Sequence, residues 1–327
     1  MNANLRKTNQ KTIEAFRDFG DELKHAARYL LWLPEAKILK FEKGRYLKYF
    51  TLPGKWAYDI FFFEQEGIIE KQVRGFPFVR FCEKDSNYFA TAKRLLGDTI
   101  GTRRSFEDLV LMNRPEFWDG FPYDIYNLDF CGTCFPNDQP PFSDTFKALT
   151  KIIKRHHLRE HFPFLILLTM KAFSSETRQE AKDQLIQNIE DNRNDGNFSE
   201  IINRLIPNTD SFVRNNFVDF IILSIPKIVC HIAQRERRNI SVQYRAKYKR
   251  YNRHDGIYHI TKFVFRFGGC ISGLRIGSQQ YIANVRDIMR MDDVLTIDDS
   301  SITNEIRKSH NQLLKYKERI NKETAKY

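Results

Sequence analysis

Three loops of this chain carry residue types that could hold and orient a small ligand. The first predicted strand ends in residues 51–54, Glu83 follows the second strand, and Asn127 and Asp129 stand at the end of the fourth. In an open α/β sheet, ligands bind beyond the carboxyl ends of the strands, where loops lead into helix N-termini. The three loops therefore predict one ligand-binding edge. Each acid also has a structural interpretation, as a solvated residue before a helix or as a turn residue.

The elements that must position these loops alternate between strands and helices. Strands are predicted at 46–52, 78–82, 124–128 and 163–170, and helices at 56–66, 86–96 and 143–157. The third strand of the order is expected just before Ser105, so 124–128 is the fourth. Strands and helices that alternate at this spacing form right-handed βαβ units. We therefore predict an α/β fold with a doubly wound, Rossmann-like parallel sheet.

Further helices and a hairpin complete the pattern. A helix is predicted over 11–33, ending before Pro34, and a long apolar helix over 212–234. Two alternating strands follow at 240–251 and 258–267, joined by an Asp-Gly turn that is typical of hairpins. We expect this antiparallel hairpin to finish the parallel sheet.

The chain ends in a polar segment that begins near residue 297. It carries one apolar stripe at helical spacing, formed by Ile302, Ile306, Leu313 and Ile320. Such a stripe predicts an amphipathic helix that docks on the body of the protein or on a protein partner. The predicted domains are a helical segment (1–43), an α/β domain (44–272) and a helical tail (273–327).

The composition limits the class of protein and its partners. The 327 residues are 42% hydrophobic and include only 15 glycines and 11 prolines, which excludes low-complexity and collagen-like chains. Five cysteines, an odd number, and a polar N-terminus favour reduced thiols and a cytoplasmic location. The most apolar stretch, 217–233, contains Asp219 and Lys227, so no membrane span is predicted. The net charge of +12 predicts an acidic partner, most commonly nucleic acid.

The strongest nucleic-acid signal is the basic segment 235–253. It holds eight arginines and lysines against one glutamate, with three tyrosines between them. The residues predicted to contact nucleic acid are Arg245, Lys247, Lys249, Arg250 and Tyr248. Strand alternation puts the first three on one face and the other two on the opposite face. The basic side chains could neutralise phosphates, and a tyrosine could stack on a base. The alternative is a solvated hairpin whose charges keep a sheet edge from aggregating. A second basic cluster at 147–159 favours nucleic acid.

The order of elements, the acid after strand two, the terminal hairpin and the Asn-x-Asp-aromatic-x-Gly loop at 127–132 together give a family resemblance. The chain resembles the class I S-adenosylmethionine-dependent methyltransferases over roughly residues 44–270. Its strand-four loop is similar to the Leu-Asp-Pro-Phe-Gly loop of the tRNA guanine N2 dimethyltransferases. The resemblance implies S-adenosylmethionine as cofactor and methyl transfer to RNA or DNA.

The resemblance also implies roles for particular residues. Glu83 would accept hydrogen bonds from both ribose hydroxyls of the cofactor. Ser105 or Phe106 would flank the adenine, and Asp129 with Asn127 would orient the methyl acceptor. The methionine part would be approached by Thr51, Pro53 and Gly54.

Departures from the family pattern keep two other functions open. The turn after strand one has one glycine, Gly54, where the family has a glycine-rich turn, and Phe130 stands where the related enzymes have proline. The second hypothesis is a catalytically inactive adaptor with this fold, a nucleic-acid-binding or protein-binding subunit of a larger complex such as a bacterial anti-phage assembly. The third is a metal-dependent nuclease that would use Glu107, Asp108, Asp124 and Asp129.

A zinc site is the last possibility that the residue types raise. Cys131 and Cys134 are followed by His156, His157 and His161. The predicted helix 143–157 would be about 22 Å long and would separate the two groups. No metal site is therefore predicted.

Overall fold

The computed structural model of the protein describes residues 21–73, 75–97, 99–130, 144–159, 163–252, 256–270 and 274–324. These residues form an eight-stranded mixed sheet with helices on both faces, which confirms the predicted α/β class. The sheet strands are β1 (Tyr49–Thr51), β4 (Val79–Cys82), β5 (Ile100–Thr102), β6 (Ile125–Asp129), β7 (Phe164–Ala172), β8 (Arg238–Asn252), β9 (Gly256–Cys270) and β10 (Val294–Thr296). A separate ribbon pairs β2 (Gln72–Val73) with β3 (Phe76–Pro77).

The strands lie in the order β10, β8, β9, β7, β6, β1, β4, β5 across the sheet. Strands β5, β4, β1, β6 and β7 are parallel to one another, whereas β9 is antiparallel to both β7 and β8. The predicted hairpin is therefore present, and it is longer than predicted at both ends. The short strand β10 pairs with residues 245–247 of β8 and covers part of that edge.

Helices pack on both faces of the sheet. They are α1 (Glu22–Ala27), α2 (Leu33–Lys43), α3 (Tyr58–Gln65), α4 (Ser86–Leu96), α5 (Phe106–Leu111), α6 (Pro115–Trp118), α7 (Asp144–Arg159), α8 (Gln179–Glu190), α9 (Ser199–Leu205), α10 (Thr209–Asn215), α11 (Phe217–Arg235), α12 (Leu274–Met289) and α13 (Asn304–Thr324). Helices α5 to α12 enclose one hydrophobic cluster, and α1 to α4 with α13 enclose the other. Alternate strand residues feed the two clusters, so that Tyr49 and Phe50 point to opposite faces.

The N-terminal helix does not end before Pro34, so this prediction is wrong. Helix α1 continues through a π-helical turn, Arg28–Trp32, directly into α2. The Leu33 amide donates to the Arg28 carbonyl across this wider turn, and Pro34 follows at the start of α2. A proline there needs no amide hydrogen, so the helix continues past it.

The predicted apolar helix 212–234 is divided in two. At Asn216 the backbone leaves the helical region, with φ −132° and ψ 44°, and separates α10 from α11. By length and composition alone α11 could cross a membrane, and 72% of its most apolar window is buried inside the protein. Buried core helices have the same length and composition.

The amphipathic tail docks on the body of the protein. Helix α13 contacts α1, α3 and α4, and the buried side chains of Ile302, Ile306 and Leu313 join the cluster beneath them. The side chain of Ile320 lies outside those that the structure describes.

Candidate functional site at the carboxyl edge of the sheet

The carboxyl ends of β1 and β6 are tied together by a buried polar network. Oδ2 of Asp59, in the first turn of α3, accepts hydrogen bonds from the hydroxyls of Tyr49 (2.5 Å) and Thr51 and from the side-chain amide of Asn127 (2.7 Å). All four residues are buried, and Oδ1 of Asn127 has no hydrogen-bond partner among the described residues. Thr51 and Asn127 are thus brought together as predicted. Their common partner, Asp59, was not predicted.

Asp129 lies at the end of β6 among positive charges. Its Oδ2 is 3.0 Å from Nζ of Lys24 and 3.5 Å from the Arg28 guanidinium. The buried Lys262 of β9 donates to Oγ1 of Thr169, which pairs with Asp129 across β6 and β7. Burial alone would raise the pKa of Asp129, but Lys24, Lys262 and Arg28 together hold it well below its usual range. The carboxylate is therefore an anion whose charge is balanced within the protein.

The helical segment 22–32 covers this carboxylate. The Arg28 guanidinium lies 4.5 Å from the ring centroid of Tyr58 and 5.4 Å from that of Trp32, which fixes its position. Only 11% of the Asp129 side chain is exposed. Among the described residues, this segment is what shields Asp129 from solvent.

Glu83, at the end of β4, is more accessible. It is half-buried, and its Oε1 accepts a hydrogen bond from the Asp85 amide (2.9 Å). Burial raises the pKa of the Glu83 carboxyl, although the backbone hydrogen bond opposes that shift. Additional hydrogen-bond donors would stabilise the charged form. Glu83 is therefore suited to accept hydrogen bonds from hydroxyl groups of a ligand.

The remaining residues predicted to bind the cofactor differ in exposure. Gly54 is partly exposed and has φ +58°, a conformation that glycine adopts without strain, whereas Pro53 is buried. Ser105 is partly exposed and caps α5, while Phe106 is buried beside Phe50 with their ring centroids 6.1 Å apart. An adenine-flanking role therefore fits Ser105 better than Phe106.

Two residues of the predicted nucleic-acid surface on β8 lie in the interior, and this corrects their assignment. The Arg245 side chain is 1% exposed, and its guanidinium bonds the Ile288 carbonyl and the Asp293 carboxylate. Tyr248 is buried in the hydrophobic cluster on the opposite face. Neither side chain can contact a phosphate or a base in this structure.

The other three residues of that surface remain partly or fully exposed. Lys247 is 2.7 Å from Asp219, and Arg250 is 3.0 Å from Asp21. Lys249 is exposed. Sequence alternation gave the faces of the strand correctly, but it could not show that helices cover much of both faces and that β10 covers part of the edge.

The acids considered for a nuclease are engaged separately. Asp124 binds Lys43 (3.0 Å) and Arg45 (2.7 Å), and Glu107 accepts from the Thr145 hydroxyl (2.7 Å). No three histidine, cysteine or carboxylate side chains converge on a metal site among the described residues. This arrangement does not support the nuclease hypothesis.

The cysteine and histidine pattern is described only in part. His156 is buried, bonded to the Tyr126 hydroxyl (2.8 Å) and stacked on Phe164 at 3.8 Å. Its surroundings are those of a core residue. Cys131, Cys134 and His161, and the side chain of His157, lie outside the described part of the chain.

Sequence reasoning missed Asp59, Lys24, Arg28 and Lys262. Asp59 and Lys262 each interrupt an apolar run, Tyr-Asp-Ile-Phe and Ile-Thr-Lys-Phe-Val. A charged residue inside such a run must find a partner when it is buried, which was the available signal. Lys24 and Arg28 gave no local signal, because their partner is more than a hundred residues away.

The edge therefore has two parts. Around β1, β4 and β5 it offers Gly54, Glu83 and Ser105, with partly exposed side chains or backbone. Around β6 and β7 it is filled by paired charges. Neither a protein-family model nor a curated protein matches this chain.

Proposed function

We propose that the chain has a methyltransferase-like fold, binds S-adenosylmethionine at the exposed part of the carboxyl edge, and acts on nucleic acid in the cytoplasm. The observation that carries the proposal is the strand order. A parallel sheet finished by one reversed strand, β9, inserted between β7 and β8, is the arrangement expected from the resemblance to class I methyltransferases. The fold alone does not establish the chemistry, so the site residues must support it.

The position of Glu83 supports cofactor binding. A half-buried carboxylate has lost part of its hydration, and its raised pKa reflects that loss. Two ribose hydroxyls would restore hydrogen bonds to it. Gly54 adopts its left-handed turn without strain, and no described atom beyond its chain neighbours lies within 4 Å of where its Cβ would be, so a cofactor could lie against the backbone there.

Asp129 and Asn127 would serve methyl transfer by positioning. Transfer of a methyl group depends mainly on aligning the acceptor with the donor. Oδ1 of Asn127 is a buried acceptor without a partner among the described residues, and Asp129 is the adjacent anion. With the segment 22–32 moved aside, both could accept hydrogen bonds from an acceptor amine.

Calorimetric titration with S-adenosylmethionine and S-adenosylhomocysteine tests the cofactor site. We expect binding by the wild-type protein and a loss of at least about ten-fold in affinity for Glu83→Gln, because an amide is a weaker acceptor for two hydroxyls. Glu70→Gln is the matched control, since Glu70 is exposed and lies before the β2–β3 ribbon. A folded wild-type protein that binds neither compound would contradict the proposal.

One observation favours a second candidate, the non-catalytic adaptor. The carboxylate assigned to the acceptor is neutralised by Lys24 and Arg28 of the chain itself. An adaptor would bind nucleic acid or a protein without methylating it. Incubation with methyl-labelled S-adenosylmethionine and total RNA or DNA separates the two functions: label in nucleic acid supports the enzyme, and cofactor binding without label supports the adaptor.

A further inference from the structure

The solvent face of α7 carries a group of cations. Lys147, Lys151, Lys154 and Arg155 lie on this face, and Lys147 and Lys154 are exposed. Lys147 is 3.2 Å from Asp144, so it is partly neutralised. Lys151 and Arg155 form no ion pair with any acid in the described part of the chain.

Neutral groups hold these two cations in place. Nζ of Lys151 donates to the Leu111 carbonyl (2.8 Å), and the Arg155 guanidinium donates to Oδ1 of Asn113 (2.7 Å). Both lie over the indole ring of Trp118, Arg155 at 3.9 Å and Lys151 at 5.9 Å from its centroid. The pKa of Lys151 is lowered by burial and by the nearby charge of Arg155. Two like charges are thus fixed close together with no anion between them.

Two arginines on either side of the neighbouring helix α5 add positive charge. Arg104 and Arg114 share a single acid, Asp108, at 3.0 and 3.5 Å. Asn113, which accepts the hydrogen bond from Arg155, lies between α5 and α6 and has φ +55°, a left-handed conformation that asparagine tolerates. The surface is therefore positively charged.

We propose that this surface, formed by Lys151, Lys154, Arg155 and Trp118 and called here the α7 patch, binds the backbone of single-stranded nucleic acid. Cations one helical turn apart can neutralise successive phosphates, and an arginine fixed over an aromatic ring can stack on a base. Helix α7 begins at the carboxyl edge, where Thr145 bonds Glu107, so a strand on the patch runs toward the candidate site. The choice of nucleic acid rests on the proposed function, and the location rests on these contacts alone.

The test is fluorescence anisotropy with labelled single-stranded RNA and DNA of mixed sequence, over a series of salt concentrations and without cofactor. For Lys151→Gln/Arg155→Gln we expect weaker binding and a salt slope of log Kd against log salt that is reduced by about 1.4, which is 0.7 for each lost phosphate contact. Lys154→Glu, an exposed site with little risk to folding, should also weaken binding.

The matched control is Arg307→Gln/Lys308→Gln, which removes the same charge, one arginine and one lysine, from exposed positions on α13. Wild-type affinity and slope for this control support the location. Equal losses in both double variants would show a net-charge effect and overturn the proposal, as would wild-type protein that binds anionic phospholipid vesicles but no oligonucleotide. Because no cofactor is present, failure here is distinct from failure of the cofactor titration.

Discussion

At the scale of single residues, the most consequential group is the Asp129 carboxylate. Two cations from the helical segment 22–32 approach it directly, and the buried Lys262 contributes to its low pKa. Burial lowers the pKa of Lys262 in turn, against the opposing effect of Asp129. One anion thus allows several cations to remain inside the protein.

We expect Asp129→Asn to lower the free energy of unfolding by about 3 kcal/mol, because it leaves buried cations without an anion. Urea denaturation at neutral pH measures the change. Asp119→Asn, at an exposed position, should leave the stability within about 0.5 kcal/mol of wild type. If the two variants were equally stable, Asp129 would have no role in holding the segment 22–32.

At the scale of elements, the sequence predicted the ends of a helix correctly where capping residues mark both of them. Asp85 caps α4 and Gly97 follows its end with φ +59°, and the predicted bounds 86–96 are confirmed. The break at Asn216 and the helix through Pro34 were missed, because packing and a π turn decide them. The polar edge was predicted, but the partners of Asn127 and Asp129 depend on contacts between distant elements that no local pattern records.

Close packing between neighbouring strands gives a prediction at this scale. A Cβ on Gly101 of β5 would lie 2.1 Å from the ring of Phe81 on β4. We expect Gly101→Ala to lower the free energy of unfolding by about 2 kcal/mol, since the ring must shift within a packed core. Thermal and urea unfolding would measure it. Gly196→Ala is the control, because its Cβ would meet no atom within 4 Å; a similar loss in both variants would contradict this explanation.

At the scale of the whole molecule, helices from the two ends of the described chain pack against each other. His25 of α1 is within hydrogen-bond distance of the Tyr58 hydroxyl (2.7 Å) and of the Ser309 hydroxyl (3.2 Å) on α13. Its ring centroid lies 5.1 Å from that of His310. The same cluster extends from Ala26 to Leu313, so the terminal segments belong to one core.

The burial of His25 between α1, α3 and α13 predicts that the stability of the protein depends on pH. Burial, with the charges of His310 and Arg28, lowers the pKa of His25 from 6.5 to about 3. At a pH between these two values the unfolded chain therefore binds a proton on His25 that the folded protein does not bind. The stability contributed by neutral His25 is complete well above pH 6.5 and falls as the pH is lowered. From about pH 6.5 to pH 5 the loss from His25 should be about 1.6 kcal/mol.

Urea unfolding of wild type and His25→Gln at both pH values measures this contribution. The variant keeps a hydrogen-bonding side chain but cannot titrate, so its stability should fall by about 1.6 kcal/mol less than that of wild type. Parallel losses in the two proteins would assign the pH dependence to other groups.

The contacts of α1 also determine when this helix can pack in its final position during synthesis on the ribosome. Lys24 can pair with Asp129, and His25 can bond Ser309, only after those residues have been synthesised, although α1 leaves the ribosome before either of them. Domains generally fold as units once their parts have been synthesised. Helix α1 is made early, but its contacts are complete only after α13 has been synthesised.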